Sequence, residues 1–265
     1  MPRKHAQPRK RVLVAFRFRA DSVCMQTLEK QVGVVTKRPA GERGRTQIGW
    51  LDSWHTFSFG EYYHPNHMEF HSLRVINDDI VEPGQGFGMH PHRNAEIFTY
   101  VIEGQLQHRD SMGNGSIIKA GDLQYMSAGS GVYHSEFNPS EKERVHLLQI
   151  WLKPNTQGGE PRYSEKALGD KAERNALTLL FSGNKKAGAA QIRQDAQIFF
   201  GKVDAGNSVS TALTEGRHAW IHLIRGEVEL LGERLQPGDG AAISEAPTLQ
   251  ITGTKDAEFL LFDLP

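Results

Sequence analysis

GQGFGMHPHRNAE, residues 84–96, and GVYHSEFN, residues 131–138, decide how this chain is read. In the first, His90 and His92 stand two apart in a Gly-rich, extended setting. Side chains of a strand alternate between faces, so residues i and i+2 share a face and both imidazoles can reach one ion. One such pair is weak alone, because twelve histidines give on the order of half an HxH by chance. The second segment repeats the spacing with His134 and Glu136. If the two strands lie side by side in a barrel, three imidazoles and a carboxylate converge on one point. That donor set suits a divalent first-row metal and leaves coordination positions open, which favours catalysis or ligand binding over structural support.

Outward from these segments, residues 50–152 read as short β-type runs separated by Gly, Asn, Asp and Pro signals, with almost no helical periodicity. The expected strands are 54–59, 72–77, 96–103, 105–109, 116–119, 123–127, 132–137 and 145–152. Many short strands with Gly-rich turns indicate a sandwich or barrel, and a jelly roll most readily encloses a small site. PNTQGGEP, residues 154–161, reads as a linker. After it, 176–181, 198–203, 219–224, 227–231, 249–253 and 258–262 again read as strands. Arg225-Gly226 and Pro237-Gly238-Asp239 echo Glu103-Gly104 and Ala120-Gly121-Asp122, which suggests two copies of one β-unit.

Composition limits the partners. Lys plus Arg and Asp plus Glu stand at 31 each, so no global field favours nucleic acid or an anionic membrane. No apolar run approaches the roughly 20 residues that span a bilayer. Cys24 is the single cysteine, so an intrachain disulfide and a multi-thiolate metal site are excluded, and a reducing, cytoplasmic setting fits best. The first residues are basic, with no acidic side chain before Asp21 and no sustained period. They read as a disordered tail or an over-long start with Met25 as the alternative initiator; a transit peptide or a nucleic-acid arm are the other options. The expected organisation is an extension over 1–37, a metal-binding domain over 38–160 and a second domain without metal over 161–265.

With these segments in place, a resemblance becomes specific. Gly84, His90, His92 and Gly104, then Gly121, Gly131, His134 and Asn138, are similar to the two cupin signatures. More narrowly, WLDSWHTFSF, RVINDD, GFGMHPHRNAEIFTYVIEG, DSMGN, MSAGSGVYHSEFNPS, QIWLKP and the C-terminal LLFDLP resemble the pirin family, nearest its bacterial quercetinase-like members. The resemblance implies an all-β fold of two cupin (jelly-roll) β-barrel domains. Two departures stand out: Gly104 follows Glu96 one residue late for a cupin, and Gly129 stands where the second signature usually has proline. Glu96 occupies the place of the usual cupin carboxylate ligand, whereas in pirins the second motif supplies it, which makes Glu136 the expected ligand here. Glu96 is left a supporting role, orienting a ligating imidazole.

The resemblance implies a metal-dependent dioxygenase of the quercetin 2,3-dioxygenase type, an oxidoreductase that opens the central ring of a flavonol with O2. Glu136 is then both ligand and candidate general base, since a carboxylate beside the metal is placed to take the 3-hydroxyl proton. Iron(II) is the first choice of metal, with Mn, Ni, Cu, Co or Zn as alternatives. The resemblance also admits a non-enzymatic, metal-binding regulatory protein that docks a protein partner.

The other histidines read differently. His55, His108 and His146 lack a partner at ligand spacing and read as polar core or surface residues. His64, His67 and His71 fall in a loop containing Pro65 and Asn66. His218 and His222 lie four apart in a strand-like segment, where they cannot meet. Phe98 and Tyr100 share the parity of the ligands and, with Phe87 and Met89, are candidates to line a pocket.

Overall fold

A computed structural model describes residues 32–168, 172–186 and 188–265. The proposed extension therefore lies mostly outside the described residues. In the first half the strands are β1 (Val34–Arg38), β2 (Gly44–Ile48), β3 (Leu51–His55), β4 (Leu73–Val81), β5 (Gly86–His92), β6 (Glu96–Glu103), β7 (Gln105–Asp110), β8 (Gly115–Lys119), β9 (Asp122–Ser127), β10 (Val132–Phe137) and β11 (Val145–Leu152). They are followed by β12 (Arg162–Ala167), β13 (Ala176–Ser182), β14 (Ala190–Gln191), β15 (Gln197–Val203), β16 (Ser208–Ala212), β17 (His218–Leu230), β18 (Glu233–Leu235), β19 (Gly240–Ser244) and β20 (Thr248–Leu264). Among the described residues the only helix is one 3-10 turn, Ala40–Glu42, and no helix is long and apolar enough to cross a membrane.

Two sheets face each other in the first half. One has seven strands in the order β12-β9-β6-β11-β4-β3-β2, the other four in the order β5-β10-β7-β8. Leu106 and Ile118 of the smaller sheet pack on Leu51, Val81, Val101, Val145 and Leu147 of the larger, and this apolar layer closes the jelly roll. The second half is one nine-stranded sheet, β1-β19-β17-β20-β15-β13-β14 with β16 on β20 and β18 on β17. It curls around its own core because β17 and β20 bend where their pairing register shifts near Arg225 and Glu227.

The halves trade strands. β1 pairs with β19 of the second sheet, Val34 opposite Ser244, whereas β12 pairs with β9 of the first, Arg162 opposite Ser127. Val34–Lys37, assigned from sequence to the extension, thus belong to the fold. Residues 162–167, assigned to the second domain, complete the first. A shared core lies between: Phe98, Tyr100, Tyr125 and Leu148 meet Phe181, Phe200, Trp220 and Phe262. Each fully buried phenylalanine there contributes roughly 1.5–3 kcal/mol.

The repeat suspected from turns is real in the backbone. Gly104 and Gly226 have φ of 77° and 78°, and Gly121 and Gly238 have φ of 83° and 82°. A Cβ at Gly104 would meet the Arg144 carbonyl oxygen, and one at Gly226 the Asp256 carbonyl oxygen. Both turns need glycine for φ and for space. The two departures from the cupin pattern also acquire causes. His146 pairs with Glu103 and Leu147 with Val101, so the extra residue before Gly104 is absorbed as a bulge at Ile102. Gly129 has φ 49° and lies against the Gly159 carbonyl, a conformation proline cannot adopt.

Candidate metal centre

The smaller sheet brings the two histidine motifs together. β10 lies between β5 and β7, with His134 opposite His90 on one side and Asp110 on the other. A register shift between His134 and Glu136 leaves Glu136 opposite Phe87 on β5 and His108 on β7. The imidazole centroids of His90 and His134 are 4.4 Å apart, and His92 lies 4.8 Å from each. The ligand atoms of His90, His92 and His134 lie within 4.8 Å of one another, and those of His108, His134 and Glu136 form a second such group sharing His134. Among the described residues these are the two groups that could hold a metal ion.

The chemistry of each group follows from its surroundings. His90 Nδ1 lies 2.7 Å from the Gly88 carbonyl oxygen. A carbonyl only accepts, so Nδ1 carries a hydrogen and Nε2 is the nitrogen left to face an ion. His134 is 1% exposed, yet neither ring nitrogen has a hydrogen-bond partner. Burial, reinforced by the neighbouring imidazoles, pushes the pKa of His134 down to about 3 and that of His92 to about 4. Both are neutral at physiological pH, the protonation state a metal requires. A buried, unpartnered, neutral imidazole beside two others fits a first-row metal ion.

Glu136 is buried and oriented from both sides. Thr99 Oγ1 donates to Oε1 at 3.1 Å and Gln149 Nε2 donates to Oε2 at 2.8 Å. Trp151 stands edge-on to His92, with centroids 4.8 Å apart, and Phe59 packs on Trp151.

Several expectations are corrected. Phe98 and Tyr100 do not line the cluster: β6 turns Ile97, Thr99 and Val101 into the barrel, while Phe98 and Tyr100 pack on Phe181 and Phe200 across the seam. Glu96 contacts no imidazole. It accepts from Tyr125 and Ser127 hydroxyls at 2.5 Å and from the Arg193 amide at 2.9 Å, tying the two halves together. Phe87 packs on Trp50 and lies 6.5 Å from the His90 ring, and Met89 is 59% exposed. His108, read as an ordinary core residue, lies fully buried beside His134 and Glu136. Its i, i+2 relation to Asp110 repeats the ligand spacing and was the available signal. Thr99 and Gln149 offered none.

The remaining histidines lie elsewhere. His55 bonds Asn77 and Thr46 at 2.8 Å each, and His146 bonds Asp78 at 2.5 Å. His64 and His67 have rings 4.5 Å apart. His218 stacks on His71 at 3.8 Å, and His222 is buried in the second half.

The Pirin family profile matches residues 36–152, and that of the quercetinase C-terminal cupin domain matches 179–264. A quercetin 2,3-dioxygenase of Escherichia coli K12 is 45% identical over 228 residues, covering 86% of this chain and 97% of that protein. The crystal structure of YhhW from Escherichia coli, 44% identical, superposes with a TM-score of 0.84 over 88% of this chain and 98% of that one. The same bacterial pirin in complex with nickel(II), 43% identical, has a TM-score of 0.84 and covers 88% and 99%.

Proposed function

The chain belongs to the pirin family, and on that premise we propose that it is a metal-dependent dioxygenase opening the central ring of a flavonol such as quercetin with O2. The observation that carries this reading is His134, buried with both nitrogens unpartnered beside His90 and His92. His90, His92, His134 and Glu136 would hold one divalent ion. The nickel(II) complex of the bacterial pirin supports metal occupancy of this cluster. Iron(II) remains the first choice and manganese, nickel, copper, cobalt or zinc the alternatives, because relative affinity alone does not select a metal. When bound, the ion supplies Lewis acidity that favours the ionised flavonol and orients O2.

The chain's own residues do the rest. Glu136 accepts the proton of the flavonol 3-hydroxyl. Thr99 and Gln149 hold its two oxygens, so the carboxylate loses little freedom when it acts. Among the four proposed ligands Glu136 is the one carboxylate, which makes it the base of the cluster. Trp151 and Phe59 close the side of His92 with apolar surface, which excludes water there.

The test is oxygen uptake with quercetin by full-length protein reconstituted separately with each metal, with Glu136→Gln alongside. Metal-dependent turnover, abolished in a variant that keeps its metal, is expected. Stoichiometric metal binding with no turnover for any ion would overturn the dioxygenase reading and favour a regulatory one.

A further inference from the structure

His134 has no hydrogen bond on either ring nitrogen, so packing alone sets the direction of its ring. Three imidazoles surround it. Two of them, His90 and His92, sit on β5, which ends its sheet and pairs only with β10, and both are half-buried. The third, His108, with its ring 5.4 Å from that of His134, is fully buried on β7, an interior strand.

His108 is held on every side. Its Nε2 lies 3.2 Å from Asp110 Oδ2, its Nδ1 lies 3.0 Å from Gln124 Nε2, and its ring stacks on Tyr163 with centroids 4.8 Å apart. Asp110 is fixed in turn. It accepts from the Met112 and Asn114 amides and from Asn114 Nδ2, at 2.8–3.0 Å, in the turn that closes the β7–β8 hairpin. Tyr163 comes from β12; its hydroxyl lies 2.7 Å from Ser116 Oγ and donates to Glu165 at 2.6 Å.

We propose that His108 is a positioning residue for His134: the β7–β8 turn, through Asp110, and β12, through Tyr163, lock the His108 ring, and that ring fixes how His134 presents its coordinating nitrogen. The proposal rests on the reading of His134 as a metal ligand. His108 is not itself placed to coordinate, although its ligand atom lies within 4.8 Å of those of His134 and Glu136. The Asp110 carboxylate takes its Nε2 hydrogen and the Gln124 amide donates to its Nδ1, so coordination would break one of these bonds. A ligand ring oriented before the ion arrives gives up little rotamer freedom on binding, and removing such outer support weakens metal affinity typically 10–100-fold.

The experiment reads metal binding rather than turnover. His108→Phe keeps a ring and its stack but loses both polar ties; Tyr163→Leu keeps the ties and loses the stack; His108→Gln retains an N–H for Asp110. Apparent Ni(II) Kd is measured by chelator competition on the full chain. The electron paramagnetic resonance spectrum of the Cu(II)-loaded protein reports ligand geometry. His108→Phe and Tyr163→Leu are expected to weaken Ni(II) binding about 10–100-fold and to change the Cu(II) hyperfine pattern, with His108→Gln partly restoring both. Wild-type affinity and spectrum in both variants would overturn the proposal while leaving the metal centre standing. If His108→Phe does not fold, Tyr163→Leu decides alone. A wild-type chain that binds neither ion would overturn the metal centre together with this inference.

Discussion

His134 withholds two ring nitrogens from water and gives neither a partner, which in the metal-free chain costs about 1–3 kcal/mol. The sign of one substitution follows. His134→Leu should raise or preserve the melting temperature of chelated protein, because an apolar side chain replaces an unsatisfied one. It should also abolish the rise that Ni(II) produces in wild type, about 2.7 kcal/mol at a hundred times Kd. Calorimetry with and without Ni(II) checks both, and a variant still stabilised by the ion would remove His134 from the ligand set. Asp79 carries a second prediction. Burial first, then the Asp78 and Glu136 carboxylates, push its pKa up to about 7 against a Ser53 hydrogen bond. A carboxyl whose folded pKa exceeds its unfolded value of 3.8 holds its proton more tightly when folded. It therefore adds stability as pH falls through 7 and loses it as pH rises. His92 and His134, neutral in the folded chain, shift stability the opposite way over this range, so the urea midpoint of chelated wild type minus that of Asp79→Asn should be lower at pH 8 than at pH 6.5. Parallel profiles would show that Asp79 is ionised throughout.

Strands became legible where a β-type run was bounded by turn chemistry. β6, β10 and β11 match their expected bounds, because each run ends at Gly, Asn, Pro or charged residues: Asn94 and Gly104, Gly131 and Asn138, Arg144 and Lys153-Pro154. β1, β2 and β12 were missed. VVTKR, GRTQI and RYSEKA are mostly polar, lie at or near sheet edges and are held by pairing, β1 and β12 with strands distant in sequence. β17 and β20 were each read as two strands, since Gly226 and the charged stretch at 255–256 resemble turns. In the structure the strands bulge there and run on. Long-range pairing overrode local signals. The metal motifs were visible because i, i+2 spacing is itself the geometry that ligands need; Thr99, Gln149 and Tyr163 reach the site through tertiary packing that leaves no periodic trace. The bulge makes Gly226 a sharper test than an ordinary turn glycine. Gly216 has φ 80° and open space around it, whereas at Gly226 a Cβ would strike the Asp256 carbonyl. Gly216→Ala should cost about 1–2 kcal/mol from φ alone. Gly226→Ala should cost more than about 3 kcal/mol, because overpacking against backbone adds to the φ strain. Equal losses in urea titrations would mean that the bend relaxes freely.

The exchange of β1 and β12 makes the two halves mutually dependent. β1 lies on β19 with Arg38 opposite Gly240, and Lys37 pairs with Asp239 at 2.7 Å. Arg38 also reaches back to the Thr56 carbonyl at 3.2 Å in the first half. β12 meanwhile covers the edge of β9 and delivers Tyr163 to the back of the metal centre. Cutting the chain between residues 160 and 161 would leave each sheet with an uncovered edge and expose Phe98 and Phe262 on opposite faces of the seam. Such edges invite aggregation. The location of β1 separates two truncations only five residues apart in length. Removing residues 1–33 leaves every pairing of β1 in place and should leave melting temperature, metal content and oxygen uptake unchanged. Removing residues 1–38 strips β1, uncovers β19 and removes the Lys37–Asp239 ion pair, so the melting temperature should fall by several degrees even though no residue of the metal centre is touched. Because the core between the halves is shared, tryptophan fluorescence and far-ultraviolet circular dichroism should follow one coincident urea transition in the wild type and in both truncations. A shorter truncation as damaging as the longer one would place residues before Val34 in the fold, and two separated transitions would show that the halves hold together on their own.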